Sequence, residues 1–283
     1  MQNVNIMGVE VSDLSRAEAL AKVRNFIEGN FQHYIVTPNP EIVLEANKDG
    51  NLRTIINHAD IALPDGIGLK IASRILGINL NNRIQGADFV EAISLFAEQE
   101  NWPIFLLGGI NEKVTEQAAW RLRYQYKSLK VVGHASGGVL EFNEGKWKSS
   151  DNKLIEKINS SGAVILFVGF GCPKQEKWIF QNLDKLPNVK LAMTVGGTLD
   201  YIAGVKKRAP KFLRKIGMEW LWRLIIEPSR IKRIWQATFV FVWTAIKWRY
   251  RMMFIHRKNV AAFIINNNNE VLLIQRANEK DVH

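Results

Sequence analysis

From Met1 to about Gly204, short apolar runs alternate with longer stretches in which apolar residues recur every three or four positions. Runs of the first kind predict strands, and stretches of the second kind predict helices with one buried face. Strands are predicted at residues 4–11, 33–37, 61–63, 103–107, 129–133, 163–169 and 190–195. Helices are predicted at residues 15–28, 40–49, 52–58, 67–76, 87–99, 112–126, 151–159 and 174–183. This alternation predicts a Rossmann-like α/β fold with a mostly parallel sheet flanked by helices.

Residues at the expected helix ends support several of these boundaries. Ser15 followed by Glu18 fits a capping box, in which side chain and backbone satisfy each other in the first turn. Asp151 follows a loop rich in Gly and Ser, where its carboxylate is suited to cap the next helix. Later in the chain, Pro210 and Pro228 are expected to mark helix starts or breaks, because proline fits the first turn of a helix but breaks its interior.

The formal charge of +11 is concentrated late in the chain. Residues 204–258 hold fifteen Lys or Arg against two Glu, whereas the rest of the chain holds 23 basic and 25 acidic residues. The same segment contains five of the nine tryptophans. A basic, aromatic segment favours an anionic partner, either a membrane surface or a nucleic acid. Trp220, Trp222 and the run 239–243 are too apolar for a solvated RNA face, so we expect a membrane surface and no nucleic acid.

The length of the apolar run in this segment indicates how it meets a bilayer. Residues 234–246 form its most apolar stretch, of about thirteen residues, and a helix needs roughly 20 to span the hydrocarbon core. Residues 204–258 are therefore predicted to be a basic helical C-terminal membrane-binding appendage that lies on a bilayer without crossing it. The α/β domain is predicted to occupy residues 1–203.

The tail, residues 259–283, has a third character. Two apolar runs flank four consecutive asparagines at 266–269, which predicts a β-hairpin. The hairpin resembles the opening of a Nudix hydrolase, but the chain ends before a Nudix box of glutamates, so we expect no hydrolase activity. It is interpreted as a truncated fusion, a remnant or an unrelated edge element. The one cysteine, Cys172, excludes an internal disulfide framework, and no cleavable leader precedes the first predicted strand, so we expect a cytoplasmic protein.

Ligands of parallel α/β sheets collect at the carboxyl ends of the strands, and the loops there hold the candidate chemistry. Thr37 and Asn39 lie beside two prolines that fix the backbone, although Asn39 also suits a simple helix cap. Asp65 follows the strand at 61–63 in a Pro-Asp-Gly sequence that is also a common turn. Its apolar neighbours would raise its pKa and suit it to act as a general base.

Further along the chain, Arg83 precedes a predicted helix and could hold a diphosphate, or could be an ordinary surface residue. Gly108 and Gly109 allow a backbone to approach a phosphate, or form a tight turn. The strongest pattern comprises two strand-to-glycine loops, which could form the walls of one nucleotide pocket. Their candidate residues are Gly169, Gly171, Pro173, Lys174, Gln175 and Glu176 in the first loop and Gly196 and Gly197 in the second. Neither loop is a G-x-G-x-x-G or P-loop sequence, which argues against NAD binding and ATP hydrolysis.

These motifs, taken in order, resemble the WecG/TagA/CpsF glycosyltransferases over about residues 4–235. The resemblance rests on Thr37-Pro38-Asn39, Pro64-Asp65-Gly66-Ile67-Gly68, Arg83-x-x-Gly86-x-Asp88, Gly169-x-Gly171-x-Pro173-Lys174-Gln175-Glu176, Gly196-Gly197 and Arg208-Ala209-Pro210 with the Glu219-Trp220, Arg223-Leu224 and Glu227-Pro228 pairs after it. It implies an inverting, metal-independent transferase without a cofactor, acting at the cytoplasmic face of a bacterial membrane. The implied donor is UDP-N-acetylmannosamine and the implied acceptor is undecaprenyl-diphosphate N-acetylglucosamine. Other members use N-acetylmannosaminuronic acid or glucose, so the donor stays open.

The resemblance also implies roles for individual residues. Asp65 is expected to be the base on the acceptor hydroxyl, with Thr37 and Asn39 beside it. Arg83 and Gln175 are expected to contact substrate or the diphosphate, and the loop at 171–176 to hold the uridine. Arg208, Arg214, Arg223 and Arg230 are the candidates for diphosphate or lipid-headgroup contacts. The α/β region has no D-x-D pair to carry Mg²⁺ or Mn²⁺ to a nucleotide diphosphate. The apolar extension at 234–255 and the hairpin depart from the pattern and leave monomer and homo-oligomer both open.

Overall fold

A six-stranded, fully parallel sheet forms the centre of the protein. In this computed structural model, which describes residues 3–143, 146–257, 262–265 and 271–274, the strand order is β4-β3-β10-β9-β5-β6. The strands are β1 Asn3–Ile6, β2 Val9–Ser12, β3 His33–Val36, β4 Ile61–Ala62, β5 Ile104–Gly108, β6 Val131–Ala135, β7 Leu140–Asn143, β8 Lys146–Ser149, β9 Ile165–Gly169, β10 Leu191–Thr194, β11 Ala262–Ile265 and β12 Val271–Ile274. The α/β class predicted from the apolar runs is confirmed.

Helices cover both faces of this sheet. They are α1 Arg16–Glu28, α2 Pro40–Lys48, α3 Gly50–Asn57, α4 Ile67–Leu76, α5 Gly86–Gln99, α6 Glu112–Gln125, α7 Leu154–Ser161, α8 Lys174–Asn182, α9 Thr198–Ile202, α10 Lys211–Lys215, α11 Glu219–Ile226, α12 Ile231–Trp235 and α13 Phe241–Arg257. Every residue of β5 and β9 is buried. In β9, Ile165 and Phe167 join the cluster on one face while Leu166 and Val168 join that on the other. Burial on both faces explains why these strands are continuous apolar runs in the sequence.

Two local predictions were wrong. Residues 4–11 do not form one strand, because β1 and β2 make an antiparallel hairpin outside the main sheet. Its turn places Met7 and Gly8 at φ angles of 52° and 88°. Asp151 is not the helix cap, since α7 begins at Leu154 and the Asp151 carboxylate instead accepts from the Lys153 N–H at 3.1 Å. The capping box of Ser15 and Glu18 is confirmed.

The antiparallel pair β7 and β8 was not predicted. Its residues lie between β6 and α7, in a polar, glycine-containing stretch without a strong strand pattern. The predicted hairpin of the tail is present as the antiparallel pair β11 and β12, with Ala262 opposite Ile274. The rest of the tail prediction, at residues 259–261, 266–270 and 275–283, lies outside the described residues.

The basic C-terminal helices pack against the α/β domain. Phe241 and Ala245 of α13 are fully buried in one cluster with Val4, Ile6 and Leu69. The guanidinium of Arg249 donates to the carbonyl of Ile75 at 2.8 Å, at the end of α4. Across the ranges that the structure describes, none of the helices combines the length and apolar character needed to cross a membrane. The segment is thus helical, as expected, while its boundaries as a separate domain remain a prediction.

The packing of α13 predicts that Phe241→Ala destabilises the protein by about 3–5 kcal/mol, because it leaves a cavity in the cluster. Phe239 offers a matched control two residues away, since Phe241 is 0% exposed and Phe239 is 62% exposed. Phe239→Ala should change the free energy of unfolding by less than about 0.5 kcal/mol. Denaturant unfolding of the full chain measures both variants. Equal effects of the two substitutions would contradict the packing of α13 described here.

Candidate active site

The ends of three central strands approach one another backbone to backbone. Gly108 and Gly169 are opposite each other in β5 and β9. A Cβ added at Gly108, where φ is 114°, would lie 2.6 Å from the Gly169 carbonyl, and one added at Gly169 would lie 2.8 Å from the Gly196 oxygen. The Gly109 N–H donates to the Gly169 carbonyl at 3.2 Å. Side chains are therefore excluded here, and the glycine loops after β5, β9 and β10 meet at one edge of the sheet.

A buried amide joins two of these loops. The Oε1 atom of Gln175 accepts from the N–H groups of Gly171 and Gly196, at 3.2 and 3.0 Å, and its Nε2 donates to Glu176 at 2.8 Å. The predicted adjacency of the two loops is therefore present. Gln175 and Glu176 are 2% and 1% exposed, so they lie beneath the loops. A direct contact of Gln175 with substrate or the diphosphate, and the uridine site at the loop 171–176, stay predictions.

The backbone of the same loops is open. Gly171 and Gly196 have φ angles of 78° and 52°, and a Cβ added at either would meet no atom of the described chain within 4 Å. A Cβ added at Gly197 would approach only the Asp200 carboxylate, at 3.7 Å. A ligand can therefore approach this stretch of backbone without obstruction by side chains.

The residues at the start of α8 are held by local contacts. Burial raises the pKa of Glu176, and burial beside that carboxylate raises the pKa of the Cys172 thiol, which therefore stays protonated. Cys172 packs against the cluster that contains Val36 and Leu52. Pro173 precedes the first residue of α8, and the Lys174 ammonium lies 5.2 Å from the centre of the Trp147 ring. The N–H groups at the start of α8 face the same edge of the sheet as the glycine loops.

Asp65 lies in the loop after β4, where this loop contacts the loop after β3 and the start of α5. Its N–H donates to the Pro38 carbonyl at 2.9 Å, and its Oδ2 accepts from the N–H of Gly86 at 3.3 Å. A Cβ added at Gly86 would lie 3.1 Å from the Thr37 methyl group and 3.5 Å from Asp65 Oδ2. Thr37 and Asp65 therefore flank the same glycine, and a larger residue there would separate them.

Thr37 and Asn39 both support the backbone in this structure. The buried Thr37 donates its hydroxyl to the Thr194 carbonyl at 3.4 Å, which ties the loop after β3 to β10. Asn39 caps α2, since its Oδ1 accepts from the Ile42 N–H at 3.0 Å. The capping role that the sequence left open for Asn39 is thus the one observed, and its carbonyl oxygen is occupied by that bond.

The charges around Asp65 suit proton transfer. Burial, and after it the Glu219 carboxylate, raise its pKa to about 6 against the opposing effects of Arg223, the Gly86 N–H and Arg208. A carboxylate that titrates just below neutral pH is ionised at pH 7 yet retains useful basicity. Glu219 had no role in the sequence interpretation, although it stands in a motif that carried the family resemblance. It lies 154 positions after Asp65, so only the fold brings the two together.

Four arginines connect the C-terminal segment to this site. Arg208 and Arg214 both pair with Asp88, at 2.8 and 2.7 Å, and Arg83 donates to the Arg214 carbonyl at 2.9 Å. Arg223 pairs with Glu219 at 2.7 Å. Arg83, Arg208, Arg214 and Arg223 are therefore brought together around the start of α5.

Two of these arginines retain unused hydrogen-bonding capacity. The buried Nε atoms of Arg208 and Arg223 have no hydrogen-bond partner among the described residues. Arg230 differs from the others, because its ion pair is with Glu227, three positions before it in the chain. Residues 3–143, 146–257 and the two tail strands contain no group of three or more His, Cys, Asp or Glu that could hold a metal ion.

Comparison with known proteins identifies the class of this enzyme as a glycosyltransferase. The sequence profile of the Glycosyl transferase WecG/TagA/CpsF family matches residues 4–254. The chain belongs to that family, which confirms the resemblance carried by the motifs. The match also includes most of the apolar extension at 234–255. The prediction that this extension departs from the family was therefore wrong.

Relatives in Staphylococcus aureus are similar over most of their length. The protein of strain MRSA252 is 33% identical over 233 residues, which is 82% of this chain and 87% of the relative. That of strain NCTC 8325 is 32% identical over the same shares. Both are named N-acetylglucosaminyldiphosphoundecaprenol N-acetyl-beta-D-mannosaminyltransferase.

Proposed function

We propose that this enzyme transfers N-acetylmannosamine from UDP-N-acetylmannosamine to undecaprenyl-diphosphate N-acetylglucosamine, with inversion and without a metal ion. The names of the Staphylococcus aureus relatives support the sugar and the acceptor. The observation that carries the chemistry is the Asp65 carboxylate, partly desolvated at a strand end and facing arginines of the C-terminal segment. The product would be the disaccharide linkage unit of wall teichoic acid or a related envelope polysaccharide.

In the proposed reaction, Asp65 takes the proton of the acceptor hydroxyl. The hydroxyl oxygen forms a bond to the anomeric carbon of the donor while the bond from that carbon to the UDP oxygen breaks. One displacement of this kind inverts the anomeric configuration. A single carboxylate suffices for it, and the position of Asp65 beside Gly86 and Thr37 fixes that carboxylate.

The leaving UDP gains negative charge, which the protein must stabilise. We assign this role to Arg208 and Arg223, whose Nε hydrogens are unpaired within the described chain, with Arg83 and Arg214 completing the basic wall. Arg230 is assigned to a lipid headgroup. These fixed cations can balance a diphosphate without a divalent ion, which supports the metal-independent mechanism.

The donor nucleotide is assigned to the glycine loops. At Gly171 and Gly196 no side chain among the described residues covers the backbone, which leaves room for a ligand, and the N–H groups at the start of α8 offer donors to an anion or a uracil ring. Gln175 maintains this surface by holding both loops, and Gly108 and Gly169 maintain it by permitting close approach of the strands. Gln175 is therefore proposed to act on the donor through the loops it joins.

A donor panel tests the substrate assignment. Incubation of the full chain with a lipid-diphosphate N-acetylglucosamine acceptor should give a disaccharide product by mass spectrometry with UDP-N-acetylmannosamine. The panel also includes UDP-glucose and UDP-N-acetylmannosaminuronic acid. Transfer of one of these sugars instead would revise the donor, and failure with every UDP-sugar would overturn the proposed reaction.

Asp65→Asn tests the base. The substitution keeps the size of the side chain but removes its basicity, so we expect kcat to fall by about 100-fold or more. Binding of the UDP-sugar, measured by calorimetry, should change little. Asp184→Asn is the matched control, because Asp184 is exposed after α8 on the surface of the protein, and it should retain full turnover. Unchanged turnover of Asp65→Asn would refute the base assignment.

We further propose that the C-terminal helices lie on the cytoplasmic surface of the bacterial membrane. Large apolar side chains are exposed along them among basic residues; the apolar ones include Phe212, Ile225, Ile231, Trp235, Phe239 and Trp243. The basic ones include Lys211, Lys232, Arg233, Lys247 and Arg251. Apolar and cationic groups on one surface suit the interface of an anionic bilayer. The acceptor of the relatives is a lipid, so this placement would bring the site to its substrate.

Vesicle flotation tests the membrane surface. The double variant Trp235→Ala, Trp243→Ala should float with vesicles containing anionic lipid several-fold less than the unsubstituted chain, and added salt should weaken flotation of both. Trp120→Ala, Tyr124→Ala is the matched control, because Trp120 and Tyr124 are also exposed aromatics but lie on α6. Equal flotation of both double variants would contradict the proposed membrane face.

A further inference from the structure

Glu219 lies where the C-terminal helices approach Asp65, the general base of the proposed reaction. Its Oε2 atom accepts from the Gln85 amide at 2.9 Å, and its Oε1 accepts from the Arg223 guanidinium at 2.7 Å. Gln85 immediately precedes α5, and the next N–H, that of Gly86, donates to Asp65 at 3.3 Å. One carboxylate thus holds both the peptide that binds Asp65 and a cation that faces it.

We propose that Glu219 is a positioning residue, which fixes the start of α5 and the Arg223 guanidinium against Asp65 when the C-terminal helices are docked. The inference rests on the proposed function, because it takes Asp65 as the base. Glu219 would act through Gln85 and Arg223 and would not touch substrate itself.

The surroundings of Glu219 favour a fixed geometry. Its side chain is 17% exposed, and both of its oxygens are used by protein donors. Hydrogen bonds that are shielded from water hold their partners more firmly than exposed ones, and those to a charged group are the stronger kind. Loss of the carboxylate would leave the Gln85 amide and Arg223 without this partner, so the start of α5 and the cation would both be less well fixed.

The charge of Glu219 predicts the direction in which the pH dependence of kcat/KM should shift when Glu219 is replaced. The groups that face Asp65 are the Glu219 carboxylate, which raises its pKa, and Arg223, Arg208 and the Gly86 N–H, which lower it. The base works when ionised, so kcat/KM should rise with pH around the Asp65 pKa of about 6. Removing the negative charge of Glu219 lowers that pKa and should move the rising limb to lower pH.

The first experiment is a pH profile of kcat/KM for Glu219→Gln in the full chain. We expect the acid limb to move down by about half a pH unit or more, with kcat reduced roughly threefold to tenfold. Glu100→Gln is the matched control, since Glu100 pairs with Arg24 at 2.6 Å at the opposite end of α5. It should keep the profile of the unsubstituted chain.

Gln85→Leu separates position from charge. It removes the hydrogen bond but no charge, and we expect kcat to fall by a similar roughly threefold to tenfold while KM for the donor is unchanged. Combined with Glu219→Gln, its effect on kcat should be less than additive, because both changes break the same contact. Normal kcat in Gln85→Leu, or full additivity in the double variant, would overturn the positioning role.

Asp65→Asn, measured beside these variants, distinguishes failure of this inference from failure of the proposed function. Retained transfer by Asp65→Asn would remove the base assignment, and the inference with it. An inactive Asp65→Asn together with an unshifted acid limb in Glu219→Gln would keep the base and overturn the role of Glu219 alone. Thermal unfolding of each variant confirms that the compared proteins are folded.

Discussion

Two arginines share the carboxylate of Asp88, and the shape of the proposed active site depends on this contact. Arg208 and Arg214 come from the stretch that leaves the α/β domain, whereas Asp88 lies in the first turn of α5. The three side chains are half-buried or better, so removing one partner would leave charge poorly solvated. This shared ion pair holds the C-terminal segment against α5, where Arg83 donates to the Arg214 carbonyl and Gln85 donates to Glu219.

The shared ion pair also changes the interpretation of the basic charge in residues 204–258. The excess in residues 204–258 suggests a segment whose cations all face an external anion. In the structure, some of them face inward, where Arg208 and Arg214 pair with Asp88 and Arg223 pairs with Glu219. The outer surface keeps the exposed aromatics and exposed basic residues such as Lys211, Lys232 and Lys247. One segment therefore supplies both the basic wall of the site and the proposed membrane surface.

The parallel sheet could be predicted because burial on both faces requires unbroken apolar runs such as that of β9. The β1–β2 hairpin could not, since Met7-Gly8 is not one of the dipeptides that mark a tight turn and the two strands read as one run. At the site, strand-end position identified Asp65 and the glycines. It could not show that Gln175 is buried or that Glu219 accepts a hydrogen bond from Gln85. The residues in these contacts are distant in the sequence and come together only when the helices have packed.

The burial of Phe241 and Ala245 beside Val4 and Ile6 has a consequence for biosynthesis. The strand β1 belongs to a core that lacks two of its members until α13 has been made. The cluster of the other sheet face, built from residues 14–203, needs no such partner. The nascent chain would thus be able to complete that half of its core before α13 is made and would hold an open apolar surface on the other half until then. A transferase assembled in this order covers its β1–β2 hairpin only when α13 packs against it.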